Sequence, residues 1–313
     1  MFCIVSFVVL GILGIFSASN RQLARESLDC VLRRVTLRPC NTGFDEKMKA
    51  KILGFVIVRS EGGARLLNRF FEPLSWVFFM LLMVSSIWSM RSLYLFYTSG
   101  SCNGLNQVGF CVFDPKGANN QVSGVMQTCK VKPPTQADLT LKGVDLSGFP
   151  VLNQDAPDKI VFIGCYHCDY TRATYPLVRA LANRYHVSFT FQNYPVKEAT
   201  DYFTRLGLCA YQQDQARYWQ MNDAFFAVKD KTSLDDPAWM QSTLTGLGFD
   251  TTKLNQCVAA PQTETTAKQQ MEEMVKTKFF GTPTVFINGE ATVGPKPYRV
   301  YAILLRGLFY WLR

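Results

Sequence analysis

The sequence predicts an α/β unit with a helical insertion, preceded by two N-terminal transmembrane helices. Three observations carry this. Two apolar stretches near the start, Phe2–Phe16 and Leu74–Met90, hold no charge. A short continuous apolar run, 159–163, leads straight into a helical pattern and suits a buried parallel-sheet strand. The order after it is strand, helix, strand, long helical stretch, hairpin and helix. The chain has 313 residues, 48% of them hydrophobic and 18% charged. That charge content lies below the roughly 25% of soluble proteins and excludes disordered or collagen-like chains.

The first span is expected at 1–17. No Lys or Arg precedes it, whereas a signal peptide wants a positive start, so a membrane helix is favoured. A cleaved signal or an interfacial helix remains the alternative. A basic loop, 18–73, follows. From Ser17 to Pro73 there are 11 Lys/Arg against 6 Asp/Glu, more than half of the chain's net charge of +9. An excess between two apolar stretches is the positive-inside signal and not a nucleic-acid footprint, so no nucleic-acid partner is expected. The second span, 74–97, is apolar enough to cross a bilayer, with Arg91 near its end able to snorkel. This hairpin places the loop in the cytosol, with Cys30 and Cys40 as ordinary thiols. Everything after it lies outside the cell membrane. Seven of the ten cysteines fall in that outer part, where disulfides persist.

Residues 98–138 are rich in Gly, Asn and Ser and read as an extracytoplasmic linker, with Cys102–Cys111 a possible disulfide. The folded unit is expected over 139–313. After the strand, a helix runs through Tyr170, Leu177, Leu181 and Tyr185, bent at Pro176. Val187, Phe189 and Phe191 alternate as a second strand, and the helical insertion covers about 196–278. Residues 284–287, Asn288-Gly289 and 291–293 make a hairpin. Tyr298, Tyr301, Leu304, Leu305, Leu308 and Leu312 form a terminal helical stripe.

The chemistry sits in Cys165-Tyr166-His167-Cys168, at the junction of strand and helix. Two cysteines three apart can close a small disulfide ring. At a helix start the first meets unsatisfied N–H groups, which favour thiolate. A protonated His167 adds to this, so Tyr166 and His167 are the tuning pair. A low-pKa thiolate is a good leaving group and makes the disulfide oxidising. The alternatives are a zinc site, disfavoured because there is no second such pair, and an inert structural pair. No metal ligand set and no cofactor motif appears. Gly281-Thr282-Pro283 opens a later strand; the alternative is an ordinary turn proline.

CYHC, the segment LCAYQQDQARYWQMNDAFF, CVAAPQTETTAKQQ and GTPTVFINGE together resemble the thioredoxin superfamily, and within it the DsbA-like thiol:disulfide oxidoreductases. The resemblance covers about 140–313. It implies a thioredoxin fold, Cys165 as nucleophile and Cys168 as resolving cysteine. It also implies a cis bond before Pro283, with Gly281, Thr282 and Pro283 as the substrate loop beside the disulfide. It favours a structural Cys209–Cys257 disulfide over two buried free cysteines. Tyr166 departs from the family's proline at that position, which leaves the direction of exchange open. The expected function is a membrane-anchored oxidase acting on reduced exported proteins. A quinone-linked membrane protein of DsbB or vitamin-K-epoxide-reductase type is its expected redox partner. A reductase, an isomerase and a non-catalytic binding subunit are the alternatives.

Overall fold

The computed structural model describes residues 18–36, 49–50, 52–54, 56–58, 60–124, 138–198 and 200–312. The span expected at 1–17 lies outside them, as do Cys40 and Cys129. The chain divides into two compact units, Met1–Arg91 and Ser92–Arg313.

In the first unit, α1 spans Ala18–Val35. Ala24, Ser27 and Cys30 recur on one buried face of it. Cys30 is disulfide-bonded, which corrects the expectation of an ordinary thiol. A second helix, α2, runs from Glu61 to Ser99 without a break and ends in the second unit. It starts well before Leu74, and Pro73 is taken up inside it. The reason is local. Ser60 Oγ accepts from Gly63 N–H at 3.2 Å, capping a helix start where Gly62-Gly63 read as a break. Among the described residues, one helical stretch is long and apolar enough to cross a membrane. It is Trp76–Ser99, 24 residues with a mean hydropathy of 1.4 and none of its most apolar window buried.

The second unit is built on a five-stranded sheet. Its strands are β2 (Val151–Leu152), β3 (Lys159–Gly164), β4 (Ser188–Asn193), β6 (Thr284–Ile287) and β7 (Glu290–Val293), in the order β2-β4-β3-β6-β7. Only the β3–β4 pair among them is parallel. Central β3 has helices on both faces, so its run of apolar residues is divided by alternation. Ile160 and Phe162 enter one cluster, with Phe189 and Phe191 of β4. Val161 and Ile163 enter the other, with Phe286, Met274 and Phe279. Asn288 and Gly289 both have positive φ, 49° and 88°, as the tight turn between β6 and β7 requires.

Helix α3 (Asp169–Tyr185) follows β3 and buries Thr171, Thr174, Tyr175, Val178, Leu181 and Ala182. Pro176 lies within it and does not end it. The insertion holds α4 (Tyr202–Gln213), α5 (Gln215–Ala227), α6 (Pro237–Gly246), α7 (Thr251–Ala259) and α8 (Pro261–Lys276). Asp214, Asp236 and Asp250 cap α5, α6 and α7 by accepting backbone N–H groups. Cys209 on α4 and Cys257 on α7 form a disulfide with Cα atoms 5.9 Å apart. The last helix, α9 (Tyr298–Arg306), is shorter than the expected stripe. Gly307 at φ 83° ends it, so Leu308 lies beyond the helix, and Leu312 is 75% exposed.

Residues 98–124 are docked and not a bare linker. Cys102 and Cys111 form a disulfide. Asn106 donates to Ala291 O and accepts from Val293 N–H, both at 2.7 Å, so one side-chain amide covers part of the β7 edge. Arg299 donates to Tyr97 O at 3.1 Å and stacks over Phe96. Strand β1 (Ser123–Gly124) pairs antiparallel with β5 (Gly281–Thr282). Backbone pairing and one asparagine produce this docking.

The Cys209–Cys257 bridge closes a sequence separation of 48 residues. Replacing both by alanine should lower unfolding stability by up to about 4 kcal/mol, the loop entropy returned to the unfolded chain. Urea unfolding of the full chain in detergent checks it. A negligible change would mean that packing of α4 on α7 already sets the constraint.

Candidate active site

The turn between β3 and α3 is held by residues from three directions. Gly164 closes β3 and is required there: a Cβ would lie 2.6 Å from Thr171 Cγ2 and 2.7 Å from the Phe162 ring. Cys165 follows, then Tyr166 and His167 in a turn, and Cys168 is the N-cap of α3. Cys165 therefore precedes the helix instead of opening it. Cys168 N–H donates to Cys165 O at 3.2 Å, and Cys165 N–H to Thr171 Oγ1 at 3.4 Å. The two cysteines are joined in a disulfide with Cα atoms 5.3 Å apart. Both residues are fully buried.

Tyr166 packs inward, 1% exposed. Its ring meets those of Phe191, Phe203, Phe225 and Phe226 at 4.9 to 5.5 Å. Its hydroxyl donates to Asn222 Oδ1 at 2.6 Å. Burial pushes its pKa well above the phenol range, so it is a neutral anchor for the turn.

His167 is the electrostatic element. Its Nδ1 lies 3.3 Å from Glu198 Oε1. Its Nε2 lies 3.1 Å from Asp235 Oδ1, close enough for charge attraction but without hydrogen-bond alignment. The Glu198 hydrogen bond raises the His167 pKa most. Burial opposes it, and the charges of Glu198 and Asp235 add to the rise. Glu198 is nearly buried and also accepts from Tyr166 N–H at 3.1 Å and Asn193 Nδ2 at 3.0 Å. An open groove of about 700 Å³ runs past this cluster, lined by His167, Glu198, Phe203, Asp235, Asp236 and Met240.

Across the turn lies the Gly281-Thr282-Pro283 loop. The Thr282–Pro283 bond is cis. Ile163 pairs with Thr284, so the loop leads into β6 beside the end of β3, where the cysteine turn begins. Thr282 is fully buried, and its Oγ1 has no hydrogen-bond partner among the described residues. No group of three or more His, Cys, Asp or Glu among the described residues is placed to hold a metal ion.

A profile of the DSBA-like thioredoxin domain matches residues 172–305. The C-terminal unit carries a DsbA-like thioredoxin domain. The matched stretch begins after Cys168 and does not include the two cysteines. Among solved structures, the chain is similar to a thioredoxin-like oxidoreductase from Silicibacter pomeroyi, at 22% identity and a TM-score of 0.43, covering 53% of this chain and 92% of that one. It is also similar to α-DsbA2, a thiol-disulfide exchange protein from Wolbachia pipientis, at 18% identity and a TM-score of 0.45, covering 50% and 85%. BdbD from Bacillus subtilis matches at 17% identity and a TM-score of 0.42, covering 50% and 89%. No curated protein matches the sequence.

Several site residues of the DsbA-like domain carried no sequence signal. Glu198 sits in a polar loop whose sequence looks solvated. Arg172 looks like one more charge on a helix. Yet its guanidinium donates to the carbonyls of Tyr166 at 3.2 Å, Phe225 at 2.9 Å, Phe226 at 3.3 Å and Val228. It ties the active-site turn to the end of α5. Asn193 did carry a signal, as a polar residue ending a fully buried strand.

Removing the largest cause of the His167 shift tests this reading. Glu198→Gln should lower the imidazole titration midpoint, read from ring carbon chemical shifts by NMR. An unchanged midpoint would transfer the effect to Asp235. The folded imidazole holds its proton more tightly than the ordinary value of 6.5. The stability this contributes is complete below that value and is lost as pH rises through the folded pKa. Glu198→Gln should therefore flatten the fall in stability above neutral pH.

Proposed function

We propose that the protein is a membrane-anchored, extracytoplasmic thiol:disulfide oxidase for exported proteins. The observation that carries it is the Cys165–Cys168 disulfide at the end of β3, with a histidine held toward its protonated form between the two cysteines in the sequence. A client thiolate attacks Cys165 Sγ, the Cys165–Cys168 bond breaks, and Cys168 leaves as thiolate. A second client thiolate attacks the client sulfur of the mixed disulfide and releases the Cys165 thiolate. The client gains a disulfide, and two electrons stay on the cysteine pair. An imidazolium beside Cys165 favours that thiolate, which favours the reduced pair and an oxidising potential.

Re-oxidation passes the electrons to a quinone-linked membrane protein of DsbB or vitamin-K-epoxide-reductase type. The Trp76–Ser99 helix serves as the anchor. An outer location accords with the further Cys102–Cys111 and Cys209–Cys257 disulfides, which reducing compartments disfavour.

Cys165→Ser should abolish exchange, whereas Cys168→Ser should accumulate mixed disulfides with clients, seen as reducible adducts on non-reducing gels. Equal trapping by both variants overturns the order of attack. The potential sets the direction: about −120 mV, as in DsbA, supports the oxidase, and about −270 mV, as in thioredoxin, supports a reductase. His167→Ala should move the pair toward the reducing end.

Membrane-impermeant thiol labelling of intact cells, after mild reduction, reads the topology. Label on the C-terminal unit with none on Cys30 supports the two-span hairpin. Label on both puts α1 outside and overturns the cytosolic loop.

A further inference from the structure

A client attacking Cys165 must reach it beside Gly281 and Thr282, yet both cysteines are fully buried in the oxidised protein. The segment just after the anchor helix is what lies along that loop. Ser123 pairs with Thr282 and Gly124 with Gly281, antiparallel. Thr284, two residues on from Thr282, pairs with Ile163 at the end of β3, so the segment pairs with the stretch of chain next to the cysteine turn. The approach is close. A Cβ on Gly281 would lie 2.6 Å from Val122 Cγ2 and 2.9 Å from Ser123 O.

The segment is also fastened at its near end. Lys296, itself 2% exposed, donates to Asn119 O at 2.7 Å and to Asn120 Oδ1. Gly294 has a φ of 78°, and a Cβ there would lie 2.7 Å from Gln121 O. Gln121 Oε1 accepts from Tyr170 OH at 2.5 Å, in the first turn of α3. Backbone pairing, two glycines that admit the chain and a buried lysine form a built seat for an extended peptide.

We propose that residues 121–124, held by the turn at 118–120, are an internal stand-in for the client strand, occupying the Gly281–Thr282 edge so that the disulfide is shielded until the segment is displaced. This rests on the oxidoreductase reading above for the identity of the displacing partner: an extended, unfolded stretch of polypeptide carrying a cysteine. Pairing of this kind recognises backbone and tolerates varied sequence. An incoming strand must exchange for β1 one for one, since the edge offers a single row of N–H and C=O groups.

Two variants of the full chain in detergent test it. Ser123→Pro removes a donor from β1 and leaves the edge open to a client. Gly281→Ala expels β1 and also obstructs any replacement strand. After mild reduction, iodoacetamide labelling of Cys165, located by peptide mass spectrometry, should be about fivefold faster in both variants, the bias expected from losing one net hydrogen bond. Oxidation of a dithiol peptide should be faster only in Ser123→Pro. Equal labelling rates in wild type and variants overturn the inference, whatever the exchange activity. Faster labelling with slower peptide oxidation in Ser123→Pro overturns the claim that β1 occupies the client's place. Faster labelling with no exchange by any form, wild type included, overturns the oxidoreductase reading and upholds the shielding strand.

Discussion

The turn that carries both cysteines has no ladder of its own, so its backbone must be satisfied from outside. Buried N–H and C=O groups without partners cost about 1–3 kcal/mol each. Here Glu198 and Asn193 accept from Tyr166 N–H, and Arg172 donates to Tyr166 O. The rest of the site follows from that need. A carboxylate brought in to hold an amide also sits against His167 and keeps the ring toward its charged form. One buried group therefore does a structural and an electrostatic job. The packing of Tyr166 among four phenylalanines fixes the turn from below, which leaves His167 as the residue facing the groove.

The insertion is more than an addition to the sheet. Its α5 helix supplies Asn222 to the Tyr166 hydroxyl and, at its end, carbonyls to Arg172. Asp235, in the turn before α6, approaches His167 from the far side. The position and charge of the redox pair are thus set as much by residues 198–235 as by the strand and helix that bear it. Asp169, in the first turn of α3, is paired in turn with Lys231 at 2.5 Å.

The sheet and its principal helices were legible because their signals are local. Lys159–Gly164 is apolar on both faces, Asn288-Gly289 is a turn pair, and α3 keeps its helical spacing past Pro176. The cysteine pair was legible because its spacing alone closes a ring. Glu198, Arg172 and Asp235 were not, since each acts on a residue distant in sequence and reads locally as a surface charge. The 98–124 segment was misread for a similar reason. A composition of Gly, Asn and Ser suggests a linker, but here those residues serve close approach, as at Gly100, and side-chain pairing, as at Asn106 and Asn119. The short terminal helix shows the converse limit: an apolar stripe continues through Leu308 and Leu312, while Gly307 stops the backbone.

Arg172 reaches the insertion only through main-chain oxygens. Such acceptors are the same whatever side chain the residue bears. The Arg172 tie is consequently indifferent to the side chains at the end of α5, and it is the rings of Phe225 and Phe226, packed on Tyr166, that make their identity matter to the turn. One guanidinium is thus a joint of two kinds, blind to sequence where it grips the insertion and fixed in place where it holds the turn that bears the cysteines.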